Sequence, residues 1–259
     1  MLVFKYNKKL LHYLYKKRLL KVESNVQNKR KDNTMARKNA KPVSTRTKKV
    51  TWKKIPTQGL IIINGHRGEG KSALGWWVAQ EMHKRTKKQV ATFGMTQSAR
   101  KLFPRRGFGR GGINHVTTVD KVNRMKPSII IVDEAAHIAG SRDAMSTTNK
   151  EWLKLIAICR HKDHLLIFIH QQSRQLDIQI MMDADLVMMK RPTQLHIREA
   201  RHSFAPEIQE AYDSFNRMRG DTRKKVFVVD YHYGAKAMLP AYMPTWWNSK
   251  VSKAYSSAT

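Results

Sequence analysis

Leu60-Ile-Ile-Ile-Asn64, then Gly65-His-Arg-Gly68-Glu-Gly70-Lys71-Ser72, then Ala73-Leu-Gly-Trp-Trp-Val-Ala-Gln80 is the stretch that decides the fold. Its apolar opening reads as a buried strand and the residues after Ser72 read as a helix, so the glycines between them form a strand-to-helix turn. Glycines let the loop fold back until successive backbone N–H groups face inward, and the helix N-terminus adds its partial positive charge. Such a concavity takes two phosphates. The spacing G-x-x-x-x-G-K-S assigns Gly65, Gly68, Gly70, Lys71, Ser72 and Ala73 to the cradle, with Lys71 reaching the β and γ phosphates of ATP and Ser72 ligating Mg2+.

Two later segments complete the pattern. Pro127-Ser-Ile-Ile-Ile-Val-Asp133-Glu134 is an apolar strand ending in carboxylates, which puts Asp133 at the carboxyl edge of a sheet, where it can hold the shell of the metal. Glu134 points to the other side and is placed to polarise a water for attack on the γ-phosphate. Tandem acids suit hydrolysis better than transfer to a bound small molecule. Leu165-Leu-Ile-Phe-Ile169 ends in His170-Gln171-Gln172. If that strand lies between the other two, Gln171, or alternatively Gln172, meets the γ-phosphate and reports its presence.

From Ile55 onward, short apolar runs alternate with helical stretches, the signature of an α/β fold with a mostly parallel sheet flanked by helices. Strands are expected at Leu60–Asn64, Gln89–Phe93, Ser128–Val132, Leu165–Ile169, Asp185–Met189 and Lys225–Asp230, and helices at Lys71–Lys84, Lys150–Cys159 and Pro206–Arg217. This divides the chain into a basic leader and arm over 1–54, a nucleotide-binding domain over 55–235 and a C-terminal tail over 236–259. Met35 would serve as well as Met1 for a start.

Charge supplies the next constraint. Fifty Lys and Arg stand against nineteen Asp and Glu, a formal net of +31 over 259 residues. Residues 1–54 hold eighteen of the bases with only Glu23 and Asp32 as acids, leaving about half the excess on the remainder. Folding needs no such imbalance; a polyanionic partner explains it, and nucleic acid leads. The arm, rich in Asn, Lys, Arg, Ser and Thr, has the composition of a solvated segment that binds phosphates through counterion release. The single cysteine, Cys159, excludes an internal disulfide and a multi-cysteine zinc site. No apolar run approaches the roughly 18 residues of a spanning helix, although Met1 to Val22 could lie on a membrane surface as a basic amphipathic helix.

Together the three motifs resemble the additional-strand catalytic-glutamate P-loop ATPases, and within them the FtsK/HerA division. Arg160-His161, a strand, Gln171 and then Asp177 are particularly similar to viral genome-packaging ATPases and to the ATPase domain of zonular occludens toxin-like phage assembly proteins. The resemblance spans about Gly59 to Met189. It implies a sheet with the sensor strand between the P-loop and Asp133-Glu134 strands, ATP hydrolysis with magnesium, a homo-oligomeric ring and double-stranded DNA as partner, with a capsid or portal vertex as the docking point. By carry-over, Lys71, Ser72, Asp133, Glu134 and Gln171 are its functional positions. His170 departs from the threonine common there, and the absence of a membrane helix favours a soluble motor in the host cytoplasm or on the virion over the extrusion ATPase. A non-motor, nucleotide-dependent DNA-binding switch is the other rival.

An arginine from a neighbouring subunit is expected to complete such a site, with Arg142, Arg160, Arg174 and Arg201 as candidates. Arg105, Arg106 and Arg110 of the Gly/Arg loop read either as DNA phosphate contacts or as solvated surface. Trp76 and Trp77 read as packing and Met181, Met182, Met188 and Met189 as core fillers, while Trp246-Trp247 reads as stacking on bases, docking on a neighbouring subunit or, ahead of both, a tail docked on the core.

Overall fold

In a computed structural model of the chain, residues 50–95, 103, 108, 112–133, 145–170, 178–200 and 204–257 are described. Eight strands among them form one sheet: β1 Gly59–Asn64, β2 Gln89–Phe93, β3 Ile113–Val116, β4 Ser128–Asp133, β5 Leu165–Ile169, β6 Leu186–Met189, β7 Lys225–Asp230 and β8 Ala235–Pro240. Their order is β3-β2-β4-β5-β1-β6-β7-β8. Pairing is parallel from β3 through β6 and antiparallel from β6 to β7 to β8. The mostly parallel α/β sheet expected from the sequence is therefore present, with β5 between β1 and β4 and an antiparallel extension at β7 and β8.

The helices are α1 Lys71–Thr86, α2 Val119–Asn123, α3 Met145–His161, α4 Ile178–Met182, α5 Gln194–Arg198, α6 Ala205–Asn216 and α7 Ser249–Ser257. Central strands of a parallel sheet are covered on both faces, so they read as continuous apolar runs rather than alternating ones. Accordingly β1, β4 and β5 are buried nearly end to end. Ile61, Ile63, Ile129, Ile131, Ile167 and Ile169 pack on one face with Leu74, Trp76, Ala79 and Met82 of α1. Leu60, Ile62, Ile130, Val132, Leu166 and Phe168 pack on the other with Leu155, Ile156 and Cys159 of α3 and Ile208, Ala211 and Phe215 of α6.

The expected tail enters the sheet. β8 starts at Ala235 and runs antiparallel to β7, with Val226 opposite Leu239; Lys236 and Pro240 hid it from sequence reading, and both are tolerated on an outermost strand. Beyond it, Trp246 packs against Trp76, Phe103 and Phe108 at ring-centroid separations of 5.9, 5.7 and 6.3 Å. Trp52 donates its ring N–H to Pro240 O at 3.0 Å, and its ring meets Trp77 edge-on at 4.7 Å. The outer face of α1 is thus clasped by segments from both ends of the described chain. Met181, Met188 and Met189 are buried as expected, whereas Met182, the last residue of α4, is 74% exposed.

Candidate nucleotide-binding site

Register brings the motifs to one edge. Asp133 of β4 lies opposite Ile169 of β5, and Ile169 opposite Ile63 of β1, so all three strands end within a residue of one another and the loop after Asn64 opens beside Asp133. Ligands of open α/β sheets sit at this carboxyl edge.

The loop is shaped for phosphate. Gly70 takes a φ of 83° immediately before α1, in the left-handed region that glycine enters without cost. Gly65 has a φ of 136° and so little room that a Cβ would fall 2.6 Å from Lys190 O. Lys71 and Ala73 are buried in the first turn of the helix. Lys71 Nζ donates to Gly65 O at 2.9 Å and His66 O at 3.0 Å, folding across the loop's mouth. Burial lowers the Lys71 ammonium to about pKa 8, against the raising influence of Asp133 and Glu69. Its charge is therefore poorly solvated and available to an incoming phosphate.

Ser72 Oγ donates to Asp133 Oδ2 at 2.8 Å. A hydroxyl and a buried carboxylate held together at a helix N-terminus form the oxygen donor set of a hard divalent cation, so the residues present fit magnesium. Next to them, His170 closes β5: its N–H donates to Ile63 O at 2.8 Å, and its ring is 1% exposed. Burial, and then the Lys71 charge, push the imidazole down to about pKa 3. The residue that departs from the family's threonine is thus a neutral imidazole under ordinary conditions.

Gly65, Gly68 and Gly70 lie in the loop before α1, Lys71, Ser72 and Ala73 form its first turn, and Asp133 is joined to them through Ser72. Glu134, Gln171 and Gln172 lie outside the described residues, as do Arg142, Arg174 and Arg201, and Arg105, Arg106 and Arg110 of the Gly/Arg loop. Arg160 is at the end of α3, at the sheet edge opposite the loop. Its guanidinium donates to Asp183 Oδ1 at 3.0 Å and Asp183 O at 2.7 Å. Sequence reading missed Glu69, whose carboxylate acts on both Lys71 and Lys190, and it missed Lys190. A lysine directly ending the apolar run Leu-Val-Met-Met is the signal that could have found the second.

With a strand inserted between those carrying the phosphate loop and Asp133, the fold is that of an additional-strand P-loop NTPase. Residues 61–191 match the ATPase family associated with various cellular activities (AAA), and the chain belongs to that family; it is an ATPase, in keeping with the FtsK/HerA-type resemblance of its motifs. Among solved structures it is similar to the genome packaging NTPase B204 from Sulfolobus turreted icosahedral virus 2. In complex with ATP-gammaS, B204 gives a TM-score of 0.51 at 12% identity, covering 73% of this chain and 100% of that one. The AMPPCP complex gives 0.50 at 13%, with the same coverage. At these identities the likeness is one of fold. No curated protein sequence matches the chain.

Proposed function

We propose that this ATPase is a DNA translocase of the genome-packaging kind, moving double-stranded DNA through a homo-oligomeric ring. The observation that carries the reading is charge. Residues 55–259 hold thirty-two Lys and Arg against seventeen acids, far more cation than a nucleotide needs, so a second polyanion faces this domain. The fold likeness to a virus's genome packaging NTPase supports the choice of DNA.

In this reading Lys71 exchanges its two carbonyl partners for phosphate oxygens, and Ser72 and Asp133 hold magnesium. The ion, when bound, draws off negative charge from the phosphates. Glu134 accepts a proton from the attacking water. Gln171, or Gln172, senses the γ-phosphate, and an arginine of the adjacent subunit stabilises the charge that develops. His170 stays uncharged beside Lys71, so a second cation does not compete for the same oxygens. A capsid or portal vertex is the docking point of such a motor, in host cytoplasm or on the virion. Among the described residues no helix is long and apolar enough to cross a membrane.

The test is ATP hydrolysis with and without duplex DNA. Turnover is expected to rise several-fold on adding DNA, to lose that stimulation at high salt, and to vanish in Lys71→Ala. Equal rates with and without DNA would leave the non-motor switch as the better reading. The basic, Leu- and Tyr-containing segment 1–22 favours one other reading, a membrane-associated extrusion ATPase. Flotation of the protein with anionic vesicles, lost on deleting 1–22, would favour it.

A further inference from the structure

The clasp over the outer side of α1 leaves aromatic surface in solvent. Trp52 and Tyr242 come together on Trp77, whose ring meets that of Tyr242 at 4.8 Å with a tilt of 36°, and Trp52 and Tyr242 are themselves 6.2 Å apart. Both tryptophans are half-buried, whereas Tyr242 is 47% exposed and Met243 beside it 62%. Trp52 is fixed at its ring and at its backbone, the ring N–H on Pro240 O and the carbonyl accepting from the Arg85 guanidinium at 2.7 Å. Rings ordered in advance lose little freedom when something lies against them.

Cations flank the patch. Lys53 and Lys54 follow Trp52 in its short turn, Arg85 lies against that turn, and Lys250 stands in the first turn of α7, just beyond Trp247. All four are exposed, and among the described residues none of them is in an ion pair. The one carboxylate of α1, Glu81, is already taken by Lys84 at 2.6 Å. A second copy of the chain is a poor answer to these charges, because on the most acidic described helix, α6, Glu207 and Glu210 are already engaged by Lys236 at 3.9 and 2.7 Å. The surface suits a partner with regularly spaced negative charge and flat apolar faces between the charges. Unpaired nucleic acid has both; in a duplex the base faces are stacked on one another.

We propose that the outer side of α1 is a platform for single-stranded DNA: a base stacks on Tyr242, backed by Trp52 and Trp77, and the flanking phosphates lie against Lys53, Lys54, Arg85 and Lys250. The inference rests on the reading of DNA as this domain's second polyanion and adds to it a surface and a form of strand. Trp77 and Lys71 share α1, so a strand held here sits on the helix that carries the phosphate loop.

A thymidine oligonucleotide of about twelve residues carrying one 5-iododeoxyuridine, bound to the full chain, tests it. By fluorescence anisotropy, Tyr242→Ala is expected to bind about tenfold more weakly and Tyr242→Phe within about twofold of wild type. Lys53→Gln combined with Lys54→Gln should reduce the salt slope of log K by about 1.4. ATP hydrolysis without DNA should be unchanged in all of these variants. Irradiation should crosslink the iodinated base to Tyr242, and the same sequence as a blunt duplex should give no adduct there. Strand binding by Tyr242→Ala within about twofold of wild type, or an equal adduct from the duplex, would overturn the platform. The translocase reading would still stand if duplex DNA stimulated hydrolysis, whereas a protein that binds DNA in neither form would overturn both. A Tyr242→Ala defect confined to self-association, or to flotation with anionic vesicles, would give the face to a second copy or to a membrane instead. Should Tyr242→Ala fail to fold, the crosslink decides: adducts confined to residues 1–49 would overturn the proposal.

Discussion

Ser72 Oγ donates to Asp133 Oδ2 at 2.8 Å, joining residues 61 apart in sequence. The bond links the first turn of the phosphate-loop helix to the end of β4, two strands away. Either residue alone would be a polar group at a sheet edge; together they bring the oxygen donors that suit a hard cation to one point beside the loop. Asp133→Asn keeps the hydrogen-bonding shape and removes the charge. It is expected to lower kcat by about 100-fold or more, because the metal loses its anionic anchor. Phosphate release at saturating ATP reads this, and turnover within about threefold of wild type would contradict the site.

Glu134 is expected to act only in the chemical step. Glu134→Gln should bind ATP within about threefold of wild type while kcat falls by about 100-fold or more, the pattern of a general base lost without loss of ground-state binding. A large rise in KM with kcat intact would assign Glu134 to binding instead.

The His170 imidazole titrates near 3 in the folded chain against an ordinary 6.5. As pH falls below 6.5 the unfolded chain takes up a proton that the folded chain refuses, so the site's stability is full above that value and declines toward pH 3. The slope is at most about 1.4 kcal/mol per pH unit. His170→Gln should therefore lose less stability than wild type between pH 6.5 and 4, by about 2 to 3 kcal/mol, in urea denaturation run across that range. Parallel curves for the two proteins would contradict a buried neutral imidazole.

The clasp over α1 makes a prediction about the C-terminal segment. Trp246 meets Trp76, Phe103 and Phe108 edge-on, so Trp246→Ala removes half-buried aromatic surface from the outside of the phosphate-loop helix. A loss of about 2 kcal/mol in denaturant unfolding is expected. A change below about 0.5 kcal/mol would mean that the segment rests on the helix without stabilising it.

What the sequence disclosed follows from which signals are local. Strands buried on both faces announce themselves as apolar runs, and β1, β4 and β5 were legible for that reason. The phosphate cradle was legible because its function demands particular residue types at fixed spacing. β3 was not, since Ile-Asn-His-Val is four residues long with polar groups at its centre, and β8 was obscured by Lys236 and Pro240. The place of β5 between β1 and β4 came from family resemblance and was then borne out by pairing; no local pattern encodes it. Lys190 escaped because the carbonyls that accept from its ammonium, those of Arg223 and Lys225, lie more than thirty residues away and meet it only in the fold. Met182 went the other way: read with the other methionines as a core filler, it ends α4 in solvent.

The central claim is that hydrolysis at this site moves DNA, and displacement of a triplex-forming oligonucleotide from duplex DNA measures movement directly. With wild-type protein, magnesium and ATP, the third strand should be released at a rate that rises with ATP concentration. No release should occur with Lys71→Ala or with a non-hydrolysable analogue. Protein that binds duplex DNA and hydrolyses ATP at a DNA-stimulated rate, yet leaves the third strand in place, would contradict translocation.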